Sequence, residues 1–277
     1  MKYMTFNSSC SFAGVANMLL QLGIDVEDRQ IALGMHLPYL FDHKDGHYAA
    51  GPMLQTSDWF NLYLHPLGYA MTETAVSRAD VPDYLSRCGT AMLGLRIAPT
   101  GKHAVVFQRM EAGSFHFINN KHQHSDAPET ICLSKSELME RLDDTVMVAA
   151  LEKIPVASPA FSDLLQRSCQ VLEQYKLDIQ TFCGVEQTKE TLASAMNTLF
   201  RATLLDGITM LELIAQDALA DQFRLIQRPF LQALREGRPV MLRERLNMPA
   251  WLAAIDQYIA LIRHQARHLS DQSTRIQ

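Results

Sequence analysis

The first residue in this sequence able to do covalent chemistry is a cysteine placed at the start of a helix. Asn7-Ser8-Ser9-Cys10 precedes SFAGVANMLLQL, where Phe12, Val15, Ala16, Leu19 and Leu20 recur at helical spacing and Gly23 stands at the exit. Asn7, Ser8 and Ser9 are N-cap residue types, so Cys10 falls in or beside the first turn. Unpaired backbone N–H groups and the helix dipole favour an anion there, and a thiolate is one. Such a thiol needs an imidazole to take and return its proton, and a third group to fix the ring. His103 opens an extended run directly after APTGK, and Asn119 closes the next extended run sixteen residues later. Asn120 is the adjacent alternative, and a register shift of one residue would exchange the faces of the two; spacing favours Asn119.

Other reactive side chains have plainer readings. The remaining cysteines, Cys88, Cys132, Cys169 and Cys183, make an odd set of five with no CxxC, which argues against a disulfide framework or a cysteine-rich zinc site. A cysteine or a strand-end histidine taken alone is ordinarily a packed or backbone-bonded residue, and only their pairing raises Cys10 and His103 above that. His43 and His47, and His116, His122 and His124, crowd together without a carboxylate or thiol at zinc spacing, so no metal and no cofactor is expected. Trp59, Phe60, Tyr63 and Tyr69 fit core packing or a groove wall, and Arg201, Asp206 and Glu212 fit a solvated face or a lid.

The elements that must position these residues fall into two blocks. After the first helix the pattern predicts short helices at 28–34, 57–64 and 79–86, the last with Asp80 as cap and Pro82 in its first turn. The run LPYLFDHKDGHYAAGPML between them, dense in Gly, Pro, His and Asp, reads as irregular and surface-accessible. TAMLGLRI, HAVVFQRM and SFHFIN predict antiparallel strands with EAG as the turn, followed by a Ser134-capped helix to Leu142 and the strand VMVAALEKI. PVASPA then reads as a linker. Helices are expected from Ser158-Pro159 to Leu172, over 188–206 and 210–234, and from Asn247 to His268, with breaks at Gly207, Gly237 and Pro239. The expectation is an α+β domain at 1–154, a helix packed on an antiparallel sheet, followed by an all-α bundle at 155–277.

Length and composition bound the function. A chain of 277 residues that is 48% hydrophobic and 20% charged can bury two cores. Its net charge of −5, with no Lys/Arg cluster, offers no footprint for nucleic acid or an anionic membrane. No apolar run reaches the roughly 18 residues that span a bilayer, and residues 1–10 lack a secretory pattern, so the expected location is the cytoplasm.

The stretches NSSCSFAGVANMLLQLGIDVEDRQIALGM, TGKHAVVFQRMEAGSFHFINN and LSKSELMERL make residues 6–150 resemble the N-terminal domain of the butirosin-biosynthesis acyltransferases. More distantly they resemble the papain-like peptidases that process bacteriocin leaders. The resemblance implies a papain-like fold with Cys10 as nucleophile, His103 as general base and acid, and Asn119 as the orienting group. It further implies acyl transfer, or amide or thioester hydrolysis, in natural-product metabolism, on a small amine or peptide substrate, with an acyl carrier protein as a further partner. Where the peptidase pattern carries an oxyanion-hole Gln, this chain has Met4, leaving Asn7 or the Cys10 backbone N–H as donors. A missing donor costs about 3 to 4 kcal/mol of transition-state stabilisation and favours activated thioesters over peptides. The opposing expectation is a silent papain-like fold used as a binding module; an amino-terminal nucleophile freed by cleavage between Ser9 and Cys10 would need a chain beginning with a strand.

Overall fold

The computed structural model describes residues 1–6, 8–97 and 101–274. In chain order the elements are α1 (Cys10–Gln21), α2 (Asp28–Gly34), β1 (Phe41–Lys44), β2 (His47–Ala50), α3 (Ser57–Leu64), β3 (Tyr69–Ser77), α4 (Val81–Arg87) and β4 (Ala91–Ile97). There follow β5 (Gly101–Glu111), β6 (Ser114–Asn119), β7 (Thr130–Ser134), α5 (Lys135–Arg141), β8 (Thr145–Lys153) and α6 (Phe161–Cys183). The last are β9 (Glu186–Gln187), α7 (Lys189–Ala195), α8 (Ile208–Leu213), α9 (Asp217–Glu236), β10 (Val240–Met241) and α10 (Met248–Thr274). The class is α+β, and no described helix is long and apolar enough to cross a membrane.

The first unit comprises residues 1–35 and 55–159. Its centre is an antiparallel sheet in the order β3-β8-β4-β5-β6-β7. Alternation along the strands gives each face its own partner. Leu93 and Leu95 of β4, Val105 and Phe107 of β5, and Phe115 and Phe117 of β6 form one core with Val81 and Leu85 of α4 and Leu138 of α5. The opposite face is covered by α1. Gly14 permits this approach: a Cβ there would meet Met92 Sδ at 2.3 Å and Asn120 Nδ2 at 2.9 Å. The β5–β6 hairpin turns on Ala112 and Gly113 at φ 49 and 78, the left-handed pair of a type I′ turn. β3, absent from the expectation above because YAMTETAVS alternates weakly, pairs with β8 over its whole length, and Asn61 of α3 clamps Met71 N at 2.7 Å and Met71 O at 3.1 Å.

The second unit comprises residues 36–54 and 160–277, which corrects the expected contiguous division. Residues 36–54 are not irregular, and their exposure is confined to the hairpin tip at 43–47 and to Met53. Asp45 and Gly46, at φ 51 and 76, close the hairpin β1–β2, and Leu37, Leu40, Phe41 and Tyr48 are buried. Their anchorage explains the allegiance: Ser168 Oγ of α6 accepts from Phe41 N at 2.9 Å, and Tyr48 donates to Asp178 at 2.6 Å. Around them Tyr175, Phe200, Phe223, Phe230, Trp251 and Tyr258 are fully enclosed. The first helix of this unit starts at Phe161 rather than Ser158 and runs to Cys183 rather than Leu172. Gly207 is no break: residues 196–200 and 202–207 are π-helical, and a Cβ on Gly207 would stand 2.7 Å from the Ala202 carbonyl.

Candidate active site

Cys10 is the first residue of α1, a free, half-buried thiol. The segment before it is not held by a serine cap. Ser9 occupies the N-cap position without a capping bond; its single hydroxyl proton is instead shared between Phe6 O at 2.7 Å and Asp28 Oδ2 at 2.9 Å. Asp28, fully buried at the head of α2, also accepts from Thr5 N and Thr5 Oγ1, both at 2.7 Å, and from Arg29 N at 2.7 Å. A buried carboxylate is tolerable only with such a complement of donors. This network ties down Thr5, Phe6 and Ser9 and so the entry of the chain into Cys10. It also seals Ser9, which is fully buried, so the Ser9–Cys10 peptide is not presented for cleavage. Asn7, expected as a cap and as an oxyanion donor, lies outside the described residues, as do Ala98, Pro99 and Thr100 of the loop before His103. Met4 is tied by its backbone: its N–H donates to Lys121 O at 2.9 Å, and its carbonyl meets His122 Nδ1 at 3.0 Å.

His103 and Asn119 are neighbours. Asn119 pairs with Val105, two residues along β5 from His103, so the two side chains share one side of the ladder. Burial lowers the His103 pKa below the ordinary imidazole value; Asn119 acts against this, and the His122 ring adds to it. The balance favours the neutral ring, the form a general base requires. Asn119 is 2% exposed, and its Nδ2 donates to Pro128 O at 2.9 Å. That leaves Oδ1 as the end able to accept from an imidazolium. Neither Asn119 Oδ1 nor His103 Nδ1 closes a hydrogen bond in this structure, although both are buried. Asn120 does other work. It points to α1, accepting from Asn17 Nδ2 at 3.0 Å and donating to Ala104 O at 2.9 Å, while Asn17 also holds Lys2 N and O at 2.7 and 3.0 Å.

The expected contact between thiol and imidazole is not closed: His103 Nδ1 has no partner, so no hydrogen bond joins it to Cys10. His103 shares its alternation with Val105 and Phe107, whereas Ala104 and Val106 alternate toward α1. The chemistry available is a thiol at a helix N-terminus, with the backbone N–H groups of its first turn free to stabilise an oxyanion, and a neutral, desolvated imidazole beside an amide oxygen.

Other sequence candidates resolve into structure. Phe60 is enclosed and meets Phe12 edge-on at 4.8 Å, and Tyr63 lies against Gly34, so these aromatics pack α3 rather than line a groove. Asp206 is buried, not part of a solvated face, and is paired with Arg201 Nε at 2.9 Å; Glu212 pairs with Arg224. Among the described residues no three His, Cys, Asp or Glu side chains converge as a metal site. Sequence reasoning missed Asp28, whose signal was an aspartate at a helix start with Thr5 and Ser9 upstream.

No family model and no curated protein matches the chain. Several solved structures are similar to part of it, two of which follow. The peptidase domain of Streptococcus ComA, a bifunctional ABC transporter of a quorum-sensing pathway, is 9% identical with a TM-score of 0.38, over 53% of this chain and 95% of that one. The Pseudomonas avirulence protein AvrPphB is 10% identical with a TM-score of 0.30, over 53% of this chain and 92% of that one. At those values the chemistry rests on the residues described above.

Proposed function

We propose that the first unit is a papain-like thiol enzyme that transfers an acyl group, or hydrolyses an amide or thioester, through an acyl-enzyme on Cys10. The observation that carries this reading is the His103 ring: half-buried, its neutral form favoured by desolvation, with Nδ1 buried and unspent and Asn119 beside it. In the reaction the Cys10 sulfur attacks the carbonyl carbon as His103 takes the thiol proton. The first-turn N–H groups hold the oxyanion, and the imidazolium returns the proton to the leaving group. An amine or water then attacks the acyl-enzyme with His103 as base. With Met4 at the position of a side-chain oxyanion donor, activated thioesters are the favoured donors. Natural-product metabolism, a small amine or peptide acceptor, a carrier-protein partner and a cytoplasmic setting follow from the sequence resemblance and composition. The test is intact and peptide mass after exposure to a short-chain acyl thioester. An adduct on Cys10 that is lost in Cys10→Ser, and slowed at least about a hundredfold in His103→Ala, supports it. The absence of any Cys10 adduct across thioester and peptide donors overturns it.

The second reading, a silent papain-like fold that binds a partner, is favoured by the absence of a hydrogen-bond partner on His103 Nδ1. Under it Cys10→Ser retains every measurable biological effect.

A further inference from the structure

The thiol and imidazole in hydrogen-bond contact lie elsewhere: Cys132 Sγ on β7 stands 3.8 Å from His116 Nε2 on β6. The two residues are directly opposed in the antiparallel ladder, and β7 is the last strand of the sheet. Along β7 the alternation buries Ile131 and Leu133 and turns Thr130 and Cys132 to solvent. Of the five cysteines Cys132 alone is exposed. Cys169 and Cys183 are buried, and burial raises the thiol pKa of Cys88, Cys169 and Cys183, that of Cys183 to about 12. Across the ladder, Arg109 of β5 is the charged residue opposite His116, and it is occupied by Glu111 at 3.0 Å.

We infer that Cys132 is a site of reversible thiolation by low-molecular-weight disulfides, with His116 as its base. His116 Nε2 takes the thiol proton, and the Cys132 sulfur attacks one sulfur of the disulfide. A new protein S–S bond forms as the old one breaks, and the departing thiolate takes the proton from His116. The protein thiol is oxidised and one half of the disulfide is reduced, so no other oxidant enters. The adduct would sit on the exposed edge strand, adding bulk and charge where another strand could otherwise pair.

The test exposes the full chain carrying Cys10→Ser, so that the proposed nucleophile cannot compete, to oxidised glutathione near neutral pH and maps adducts by peptide mass against time. The expected result is that the Cys132 peptide is modified first, that Cys132→Ser removes this first adduct, and that His116→Asn slows it at least about tenfold. The His116→Asn effect must disappear in denaturant, which separates a base from a folding defect. First modification at another cysteine, or an unchanged rate in folded His116→Asn, overturns the inference. Because Cys10 is absent from the protein tested, neither result bears on the proposed acyl-enzyme.

Discussion

Replacing Asp28 with Ala removes the acceptor on which the chain before Cys10 depends. Four hydrogen bonds end on that carboxylate, at 2.7 to 2.9 Å. Bonds to a charged group contribute about 1.5 to 3 kcal/mol each, but they do not simply add here. Thr5 is exposed, so its two donors return to water, and Ser9 Oγ keeps Phe6 O. The net loss is then set by the Ser9 and Arg29 bonds and the emptied side-chain volume, about 3 kcal/mol. Asp28→Asn keeps one acceptor oxygen and should cost roughly half of that. Hydrogen exchange at the amides of α1 reads this unit separately from the second, since one melting curve for two units need not be two-state. A loss below about 1 kcal/mol in Asp28→Ala, with α1 protection unchanged, would show that the network does not hold the segment.

Further outcomes follow from the same contacts. Gly14→Val should destabilise the first unit by about 1 to 3 kcal/mol in urea titration, because a Cβ meets Asn120 at 2.9 Å and branching blocks the relief available from Met92. Asn120→Ala should cost about 1 to 3 kcal/mol in the same titration, because it leaves Asn17 Nδ2 without one of its two acceptors. The His103 pKa is lowered in the folded state, so its contribution to stability is complete above the ordinary imidazole range. That contribution falls as pH drops through the unfolded value of about 6.5 toward the folded one, and His103→Gln should flatten the window in a pH series of melting temperatures. Cys183, fully enclosed, should resist alkylation at pH 8 until denaturant opens the second unit; labelling at native rates equal to Cys132 would contradict its burial.

Periodicity made α1, α3 and the strands of His103 and Asn119 legible, because their large apolar residues recur at the matching period even where, as in α1 from Phe12 to Leu19 and β5 from Val105 to Phe107, burial is continuous. Capping chemistry placed α5: Ser134 and Glu137 form the reciprocal box that their spacing implies. Other elements were hidden for physical reasons. The hairpin β1–β2 carried its signal in Asp45-Gly46, yet His43, Lys44 and His47 gave it a polar look while Phe41 and Tyr48 were bound for a core supplied far along the chain. The π-helical segments at 196–200 and 202–207 leave no composition mark, although within the second the close approach of Ala202 O to Gly207 leaves no room for a Cβ. At the candidate site, residue types and spacing indicated the His103–Asn119 neighbourhood and left Asn120 open; the tie from Asn120 to Asn17 depends on which face α1 covers. Whether thiol meets ring is a tertiary distance that no local pattern encodes.

The alkylation rate of Cys10 between pH 5 and 9, measured by peptide mapping in a Cys132→Ser background with and without His103→Ala, tests the central claim most directly. If Cys10 and His103 act as one unit, Cys10 reacts with iodoacetamide at mildly acidic pH, and His103→Ala moves that reactivity up into the ordinary thiol range of about 8.5. Identical profiles in the two proteins, each rising only in that upper range, would contradict it.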